Sequence, residues 1–264
     1  MRDLIEIKEF IDSLKTSSLP YTLALTGSTA RGELRSNSSP YDYNSDTDIL
    51  CIIAPRNIAE ALSYKEKCSE STPLILMSSE ALHYPSNAVM SIAFDSLITN
   101  DLDLKRPIFT DVQAVEFIAY QLQPLAYYTA CLQQSIPSLK RRLYSKIATT
   151  CLKLLYLIDH SDKRNFIYER ELKQNHFANI DEGLVHNILN RELPDFELQH
   201  HAEHLTAQVI HNPLIAQAAG FLTSTRLYLT GKDTYSAQII EAVFLENNRL
   251  KRSDALFIKG SLNE

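Results

Sequence analysis

The sequence predicts a two-domain protein, in which an α/β (α+β) N-terminal domain with a small mixed sheet precedes an all-α helical bundle. Up to about residue 110, short apolar runs typical of strands alternate with amphipathic stretches typical of helices. After residue 111, apolar residues recur at the helical period almost throughout, and strand signals are few. We therefore predict domains of residues 1–111 and 112–264.

The elements of the first domain follow from periodicity and turn residues. Helical spacing predicts a helix over residues 4–15, which Pro20 separates from the next element. Apolar runs rich in β-formers predict strands at 21–26, 46–54, 72–78 and 87–97, with a short edge strand at 106–110. Helical patterns follow Gly27 and cover 57–70, whereas the polar stretch 33–45 is predicted to be a loop.

The second domain is predicted to be a series of helices. Their ranges are 112–134 (interrupted by Pro124), 138–158, about 181–191, 196–210, 213–230 and 234–250. Ser138 is the expected N-cap of one helix, and Gly231 the expected stop of another.

Composition limits the classes of function. Of 264 residues, 45% are apolar and 22% charged, which is ordinary for a globular protein. The net charge of −6 argues against duplex DNA as a partner, although a local basic face could serve a nucleotide or a short RNA. Four cysteines without a C-x-x-C pair indicate a reducing compartment. No run reaches the roughly 18 apolar residues of a membrane span, so we expect a cytoplasmic protein without a membrane partner.

The most informative stretch is residues 25–53, LTGSTARGELRSNSSPYDYNSDTDILCII. Asp46 and Asp48 stand two apart at the start of a predicted strand, so both side chains belong to one face. Two carboxylates this close repel each other unless a cation lies between them. Hard divalent cations prefer oxygen ligands, and the pair therefore predicts a magnesium site.

The other half of this stretch suits phosphates. Gly27 follows a predicted strand and lets the backbone approach a ligand closely. Ser28 adds a hydroxyl donor, and the start of the following helix offers free N–H groups. Together, the Gly-Ser turn and the two carboxylates predict binding of a nucleoside triphosphate with its magnesium.

The combination TGSTARGE…SDTDIL resembles the signature of the DNA polymerase β-like nucleotidyltransferase superfamily, of the kind with a C-terminal helical domain. The motif covers residues 21–54, and the predicted strand order extends the resemblance over 1–110. The loop at 33–45 is longer than in common members, which leaves the subfamily open.

The resemblance implies roles for the matched residues. Gly27 and Ser28 would bind the β- and γ-phosphates, and Arg31 would lie near them or brace the turn; for Arg31, a surface salt bridge is the alternative. Asp46 and Asp48 would hold two Mg²⁺ ions, for which Mn²⁺ can substitute.

The resemblance also implies two further site residues. Active members have a third carboxylate on a neighbouring strand, for which Asp95 is the first candidate and Glu80, Asp101 and Asp103 are alternatives. A basic residue of the helical domain commonly reaches the triphosphate. Lys146 is the candidate, with a solvated basic face as the alternative.

The expected activity is transfer of a nucleoside monophosphate from an NTP, ATP by first choice, to a hydroxyl, with release of pyrophosphate. The first choice of acceptor is a small molecule such as an aminoglycoside-like antibiotic. A protein side chain or tRNA, as in toxin-type members, is the second, and an oligonucleotide signal synthase the third. A catalytically silent nucleotide-binding or partner-binding protein is the alternative from another class.

Two weaker motifs lie in the helical domain. RELKQNH at residues 170–176 has the R-x5-H spacing that resembles the catalytic motif of HEPN ribonucleases, but a loop or helix end is the favoured interpretation. His200 and His204 stand one helical turn apart and could form a zinc pair. No third ligand is evident, and a polar helix face is favoured.

Overall fold

The computed structural model describes residues 2–30, 48–68, 74–134 and 137–225. Two compact units divide these residues, and the chain passes from the first to the second between Ile108 and Phe109. The first unit is mixed α+β and the second is helical. None of the helices in the described ranges has the length and apolar character needed to cross a bilayer.

The first unit is built around a small mixed sheet, as predicted. Its elements are α1 (Arg2–Thr16), β1 (Tyr21–Thr26), α2 (Gly27–Ala30), β2 (Asp48–Ile53), α3 (Ile58–Lys65), β3 (Leu74–Ser78), α4 (Asn87–Met90) and β4 (Thr99–Asn100). Short 3₁₀ turns occupy Pro55–Asn57, Ser79–His83 and Phe94–Ser96. Within the described residues, the strand order is β3-β2-β1-β4. β1 runs antiparallel to both its neighbours, while β2 and β3 are parallel.

Both faces of the central strands are buried. Phe10 and Leu14 of α1 and Ala61 of α3 pack with Leu23 and Cys51 in one apolar cluster. The whole run from Leu50 to Ile53 is inaccessible to solvent, including the residues of the opposite face. This burial on two sides explains why β2 reads as an uninterrupted apolar run.

The predicted strand at 87–97 is wrong. The segment begins with α4 instead, because Ser86 caps it: its hydroxyl accepts from the Val89 N–H at 3.3 Å and its carbonyl from the Met90 N–H at 2.9 Å. A 3₁₀ turn at Phe94–Ser96 follows, and extended pairing with β1 resumes only at β4.

The predicted edge strand at 106–110 is also wrong, since these residues form no regular element. The Asn100 side chain closes a loop with Leu104, accepting from its N–H at 2.8 Å and donating to its carbonyl at 3.1 Å. Asp103 inside this loop has a left-handed φ of 49°. Strand pairing with β1 ends at Asn100, where this loop begins.

The second unit confirms the helical interpretation of the described part. Its helices are α5 (Ala114–Gln134), α6 (Pro137–Asp159), α7 (Glu169–Gln174), α8 (Glu182–Asn190), α9 (Asp195–Ile210) and α10 (Pro213–Thr225). α6 packs against α5, α8 and α9, and α10 packs against α5. The helix α5 continues through Pro124, and α6 starts at Pro137, so Ser138 is not its N-cap. Gly231 and residues 234–250 lie outside the described residues.

Arg141 ties α6 to the connection between α8 and α9. Its guanidinium donates to the Asp195 carboxylate, to the Leu193 carbonyl at 2.8 Å and to the Arg191 carbonyl at 3.3 Å. Arg191 ends α8 in the left-handed conformation, with φ 63°. One side chain of α6 thus orders the chain that leads into its main packing partner.

Candidate functional site

The sheet register brings the two halves of the Gly-Ser/Asp-x-Asp motif to the same end of the sheet. Thr26, the last residue of β1, is the cross-strand partner of Asp48, the first residue of β2. Gly27 follows Thr26 directly and opens α2. Directly opposed residues of antiparallel strands have Cα atoms about 4.5–5.5 Å apart. Two residues that the motif predicts to act together, Gly27 and Asp48, are therefore neighbours in the structure.

The backbone conformation explains the glycine. Gly27 has a φ of 76°, in the left-handed region that a Cβ disfavours. This conformation turns the chain from β1 straight into α2, whose second residue is Ser28. The turn alone thus requires glycine, and close approach of a phosphate to it stays a prediction.

The end of β1 is anchored by contacts that sequence reasoning missed. The buried Thr26 hydroxyl lies 2.8 Å from the Ser91 hydroxyl, and the Leu25 carbonyl accepts from the Ala93 N–H at 3.0 Å. A signal for this was present, because a threonine that ends an apolar strand needs a hydrogen-bond partner once buried. Its partner, 65 residues further on, had no comparable signal.

Part of the predicted site lies outside the described residues. Arg31, Asp46 and the loop at 33–45 all fall there, so their placement stays a prediction. In the ranges that the structure covers, no group of three or more His, Cys, Asp or Glu residues could hold a metal ion. Asp48 offers the oxygen chemistry that magnesium prefers, and it would need ligands from the remainder of the motif.

Asp95 lies in the 3₁₀ turn Phe94–Ser96 and not on a strand, which corrects its predicted setting. Its Oδ2 accepts from the Arg106 Nη2 at 2.7 Å, and its side chain is 88% exposed. The backbone on either side bonds to β1, with the Ala93 N–H on the Leu25 carbonyl and the Ile98 N–H on the Leu23 carbonyl. Asp95 is therefore beside the half of β1 nearest Gly27, but β1 stands between it and β2. Its role as third carboxylate stays a prediction.

The three alternative carboxylates lie at the opposite end of the sheet. Glu80 follows β3, which runs parallel to β2 and ends beside Ile53. The Asp101 N–H donates to the carbonyl of Tyr21, the first residue of β1, and Asp103 lies further on. These positions lie at or beyond the end of the sheet formed by Tyr21 and Ile53, five strand residues, or ~17 Å, from the paired Thr26 and Asp48. They cannot share a metal ion with Asp48.

Lys146 belongs to α6 in the second unit. Its Nζ lies 5.1 Å from the centroid of the Tyr128 ring of α5, a cation–π contact between the two helices. This contact gives the lysine a structural role within its own unit. Contact with a triphosphate stays a prediction.

The ribonuclease-like pair is divided between separate partners. Arg170 stands on the Tyr168 ring at 4.8 Å, near the start of α7. His176 lies beyond the end of α7 and pairs through Nδ1 with Glu182 at 3.1 Å. The favoured interpretation as a helix end agrees with α7, which covers most of the motif.

His200 and His204 of α9 are both solvent-exposed. His204 Nε2 accepts from the side-chain amide of Gln208 at 3.0 Å, while His200 lies beside the ring of His201. Neither belongs to a three-ligand group in the described chain. The favoured interpretation as a polar helix face fits this arrangement.

A cleft that the sequence did not indicate opens at the far end of β1. It has a volume of about 570 Å³, and its lining includes Lys15, Tyr21, Thr99 and Asp101. Burial, and then the charge of Asp101, raises the pKa of Tyr21. The cleft lies at the end of the sheet away from Gly27, so it is separate from the Gly27–Asp48 row.

The chain was compared with family models, curated proteins and solved structures, and none of them matches it. A function has to be argued from the site itself.

Proposed function

We propose that this protein is a metal-dependent nucleotidyltransferase that moves a nucleoside monophosphate from an NTP, ATP by first choice, to a hydroxyl of an acceptor. One observation carries the proposal: Thr26 pairs with Asp48, and the left-handed Gly27 follows at once. A backbone turn suited to phosphates and a carboxylate suited to their counter-ion therefore share one end of the sheet.

Each residue of the proposed site has a distinct role. Gly27 and Ser28 present the backbone to the β- and γ-phosphates, and Arg31 offsets part of their charge. Asp46 and Asp48, with Asp95 as third carboxylate, would hold Mg²⁺, which when bound neutralises charge on the triphosphate and on the leaving group.

The reaction is an in-line displacement. The acceptor oxygen forms a bond to the α-phosphorus, and the bond from that phosphorus to the oxygen bridging to the β-phosphate breaks. Pyrophosphate leaves with the bonding electron pair. The hydroxyl proton passes to a carboxylate of the site or to water. Lys146 is the proposed second-unit contact to the triphosphate.

The acceptor is proposed to be a small cationic molecule with free hydroxyls, such as an aminoglycoside-like antibiotic. The net charge of −6 favours a cationic acceptor over tRNA, while a protein side chain is the other alternative. The four cysteines, all in the described part of the chain, are free thiols, which supports the proposed cytoplasmic location.

A second candidate function is a silent nucleotide-binding partner protein. The observation in its favour is the position of Asp95, which is paired with Arg106 and separated from β2 by β1. Without a third carboxylate at the metal site, the turn and the aspartates would still bind nucleotide, but transfer would fail.

The test uses purified protein with each α-labelled NTP, Mg²⁺ or Mn²⁺, and three acceptor pools: hydroxylated antibiotics, total tRNA and lysate protein. We expect labelled product from the first pool and its loss, by at least about 100-fold, in Asp46→Asn/Asp48→Asn, because the leaving charge is then no longer neutralised. The matched control is Asp101→Asn at the far end of the same sheet, which should keep wild-type turnover.

Three results would separate the candidates. Binding of NTP without label in any pool favours the silent partner protein. Equal losses in the double variant and in Asp101→Asn would contradict a site at the Gly27–Asp48 row. If wild-type protein gives no calorimetric signal with any NTP and either metal, both candidate functions are contradicted.

A further inference from the structure

The end of β1 carries a buried pair of hydroxyls that the proposed reaction does not use. Thr26 is 4% exposed and Ser91 is 6% exposed, and their side-chain oxygens lie 2.8 Å apart. The Thr26 hydroxyl is also within hydrogen-bonding distance, 3.4 Å, of the Ser91 carbonyl, and either hydroxyl can be the donor of the 2.8 Å contact. Each polar group satisfies the other in a place where an unpaired hydroxyl would be costly.

This pair lies in the same row as the candidate site. Thr26 has Asp48 as its partner on one side and Ser91 on the other, and Gly27 is the next residue. Three backbone segments therefore meet where the turn begins. Whatever holds Thr26 in place also determines where Gly27 starts.

The segment that carries Ser91 is itself anchored on both sides of the contact. The helix α4, capped by Ser86, ends directly before it, and the Ala93 N–H bonds to the Leu25 carbonyl at 3.0 Å just after it. Ser91 is thus presented to Thr26 by ordered backbone. A hydroxyl pair between two ordered segments restricts both the Thr26 rotamer and the end of β1.

We propose that the Thr26–Ser91 contact is a positioning contact, which holds the Gly27 turn at the distance from position 48 that an NTP with its metal ion requires. This inference rests on the proposed function and adds two residues to it. Neither residue is catalytic: both act through the backbone of the turn. Small displacements of such supports carry large functional losses, because binding geometry is sensitive to shifts of about 1 Å.

The same strand provides a matched control. Thr22 is fully buried, belongs to the same alternate set of β1 residues as Thr26, and donates to the Asn100 Oδ1 at 3.0 Å. It lies at the far end of β1 from Gly27. Thr26→Val and Thr22→Val remove the same hydroxyl from similar surroundings, and only the first removes it beside the turn.

The experiment measures ATP binding with Mn²⁺ by calorimetry on the full chain. Thr26→Val and Ser91→Ala should raise the Kd for ATP by at least about tenfold. A displaced Gly27 turn would lose one well-placed hydrogen bond to a charged phosphate, and that loss has an effect of this size. Thr22→Val should stay within about twofold of wild type, and Thr26→Ser, which keeps the hydroxyl, should restore binding. Equal losses in the two valine variants overturn the inference.

Amide hydrogen exchange of the same proteins tests the contact without any nucleotide. Thr26→Val should speed exchange at Ala93 by about tenfold and leave Asp101, whose N–H bonds to the Tyr21 carbonyl, unchanged. Thr22→Val should act on Asp101 and spare Ala93. Unchanged exchange at Ala93 in Thr26→Val overturns the inference even if the wild type transfers nucleotides. Wild-type protein that does not bind ATP overturns the proposed function instead, and Ala93 then decides alone whether Thr26 holds the end of β1.

Discussion

Gly27 is the residue whose chemistry the turn most directly demands. Its φ of 76° is accessible to glycine without penalty and costs an L-residue about 1–2 kcal/mol. The requirement holds whether or not a nucleotide binds. Stability and nucleotide binding should therefore both respond to a side chain at this position.

We expect Gly27→Ala to lower the free energy of unfolding by about 1–2 kcal/mol, because alanine must adopt the left-handed conformation. Urea unfolding measures this. The control is Gly220→Ala, in helix α10, where an added Cβ meets nothing within 4 Å. There alanine should raise the free energy of unfolding by up to about 1 kcal/mol, since glycine is a poor helix former. The changes in the free energy of unfolding should therefore have opposite signs at the two glycines. A Gly27→Ala protein as stable as the wild type would contradict the left-handed turn.

At the scale of elements, the side chain of Asn100 forms the contacts at which β4 ends. Asn100, the last residue of β4, accepts from the Thr22 hydroxyl and closes the loop to Leu104. The rest of the segment then leaves the sheet, and the apolar run at 106–110 pairs with none of the strands that the structure describes. Its apolar character predicted a strand, but the loop chemistry of one asparagine prevails.

We expect Asn100→Ala to cost about 1–3 kcal/mol in the free energy of unfolding, because the buried Thr22 hydroxyl loses its acceptor. Asn100→Asp keeps an acceptor oxygen for Thr22 and for the Leu104 N–H, so its cost should be smaller. Urea unfolding together with amide exchange at Leu104 measures both. Faster exchange at Leu104 in the alanine variant alone would support the loop, and equal costs for the two variants would contradict it.

The elements that the sequence predicted well are those whose signal is local. β1, β2, β3 and the long helices of the second unit carry their own periodicity or apolar run. The Gly-Ser turn also has a local signal in the sequence. Pairing of Thr26 with Asp48 follows once β1 and β2 are antiparallel neighbours. The helix at 87–90 has a local signal, the Ser86 cap, but the apolar run over 87–97 outweighed it in the prediction. The position of Asp95 and the Thr26–Ser91 contact depend on residues far apart in the chain, so no local pattern predicts them.

At the scale of the molecule, each compact unit has a buried thiol in its core. Cys51 of the first unit and Cys151 of the second are fully inaccessible, and burial raises the pKa of each to about 12. An acid whose pKa is raised by folding stabilises the fold below its unfolded pKa, near 9, and that stabilisation is lost as the pH rises towards 12. Around pH 8 both thiols are protonated and shielded, so alkylation should reach the half-buried Cys68 and Cys131 first.

The two buried thiols can therefore report the unfolding of each unit separately. Arg141→Met removes the contacts that order the α8–α9 connection and should destabilise the second unit by about 1–3 kcal/mol. In pulse alkylation across a urea series, the midpoint for Cys151 should fall while that for Cys51 changes little. The control is Arg106→Met in the first unit, which breaks an exposed ion pair with Asp95 and a contact of the guanidinium with the Phe94 ring, and should cost less than about 1 kcal/mol. Equal shifts of both thiols in Arg141→Met would mean that the two units unfold as one. In that case the losses of stability in Gly27→Ala, Asn100→Ala and Arg141→Met would belong to the whole chain, because a loss in one unit would no longer be visible by itself.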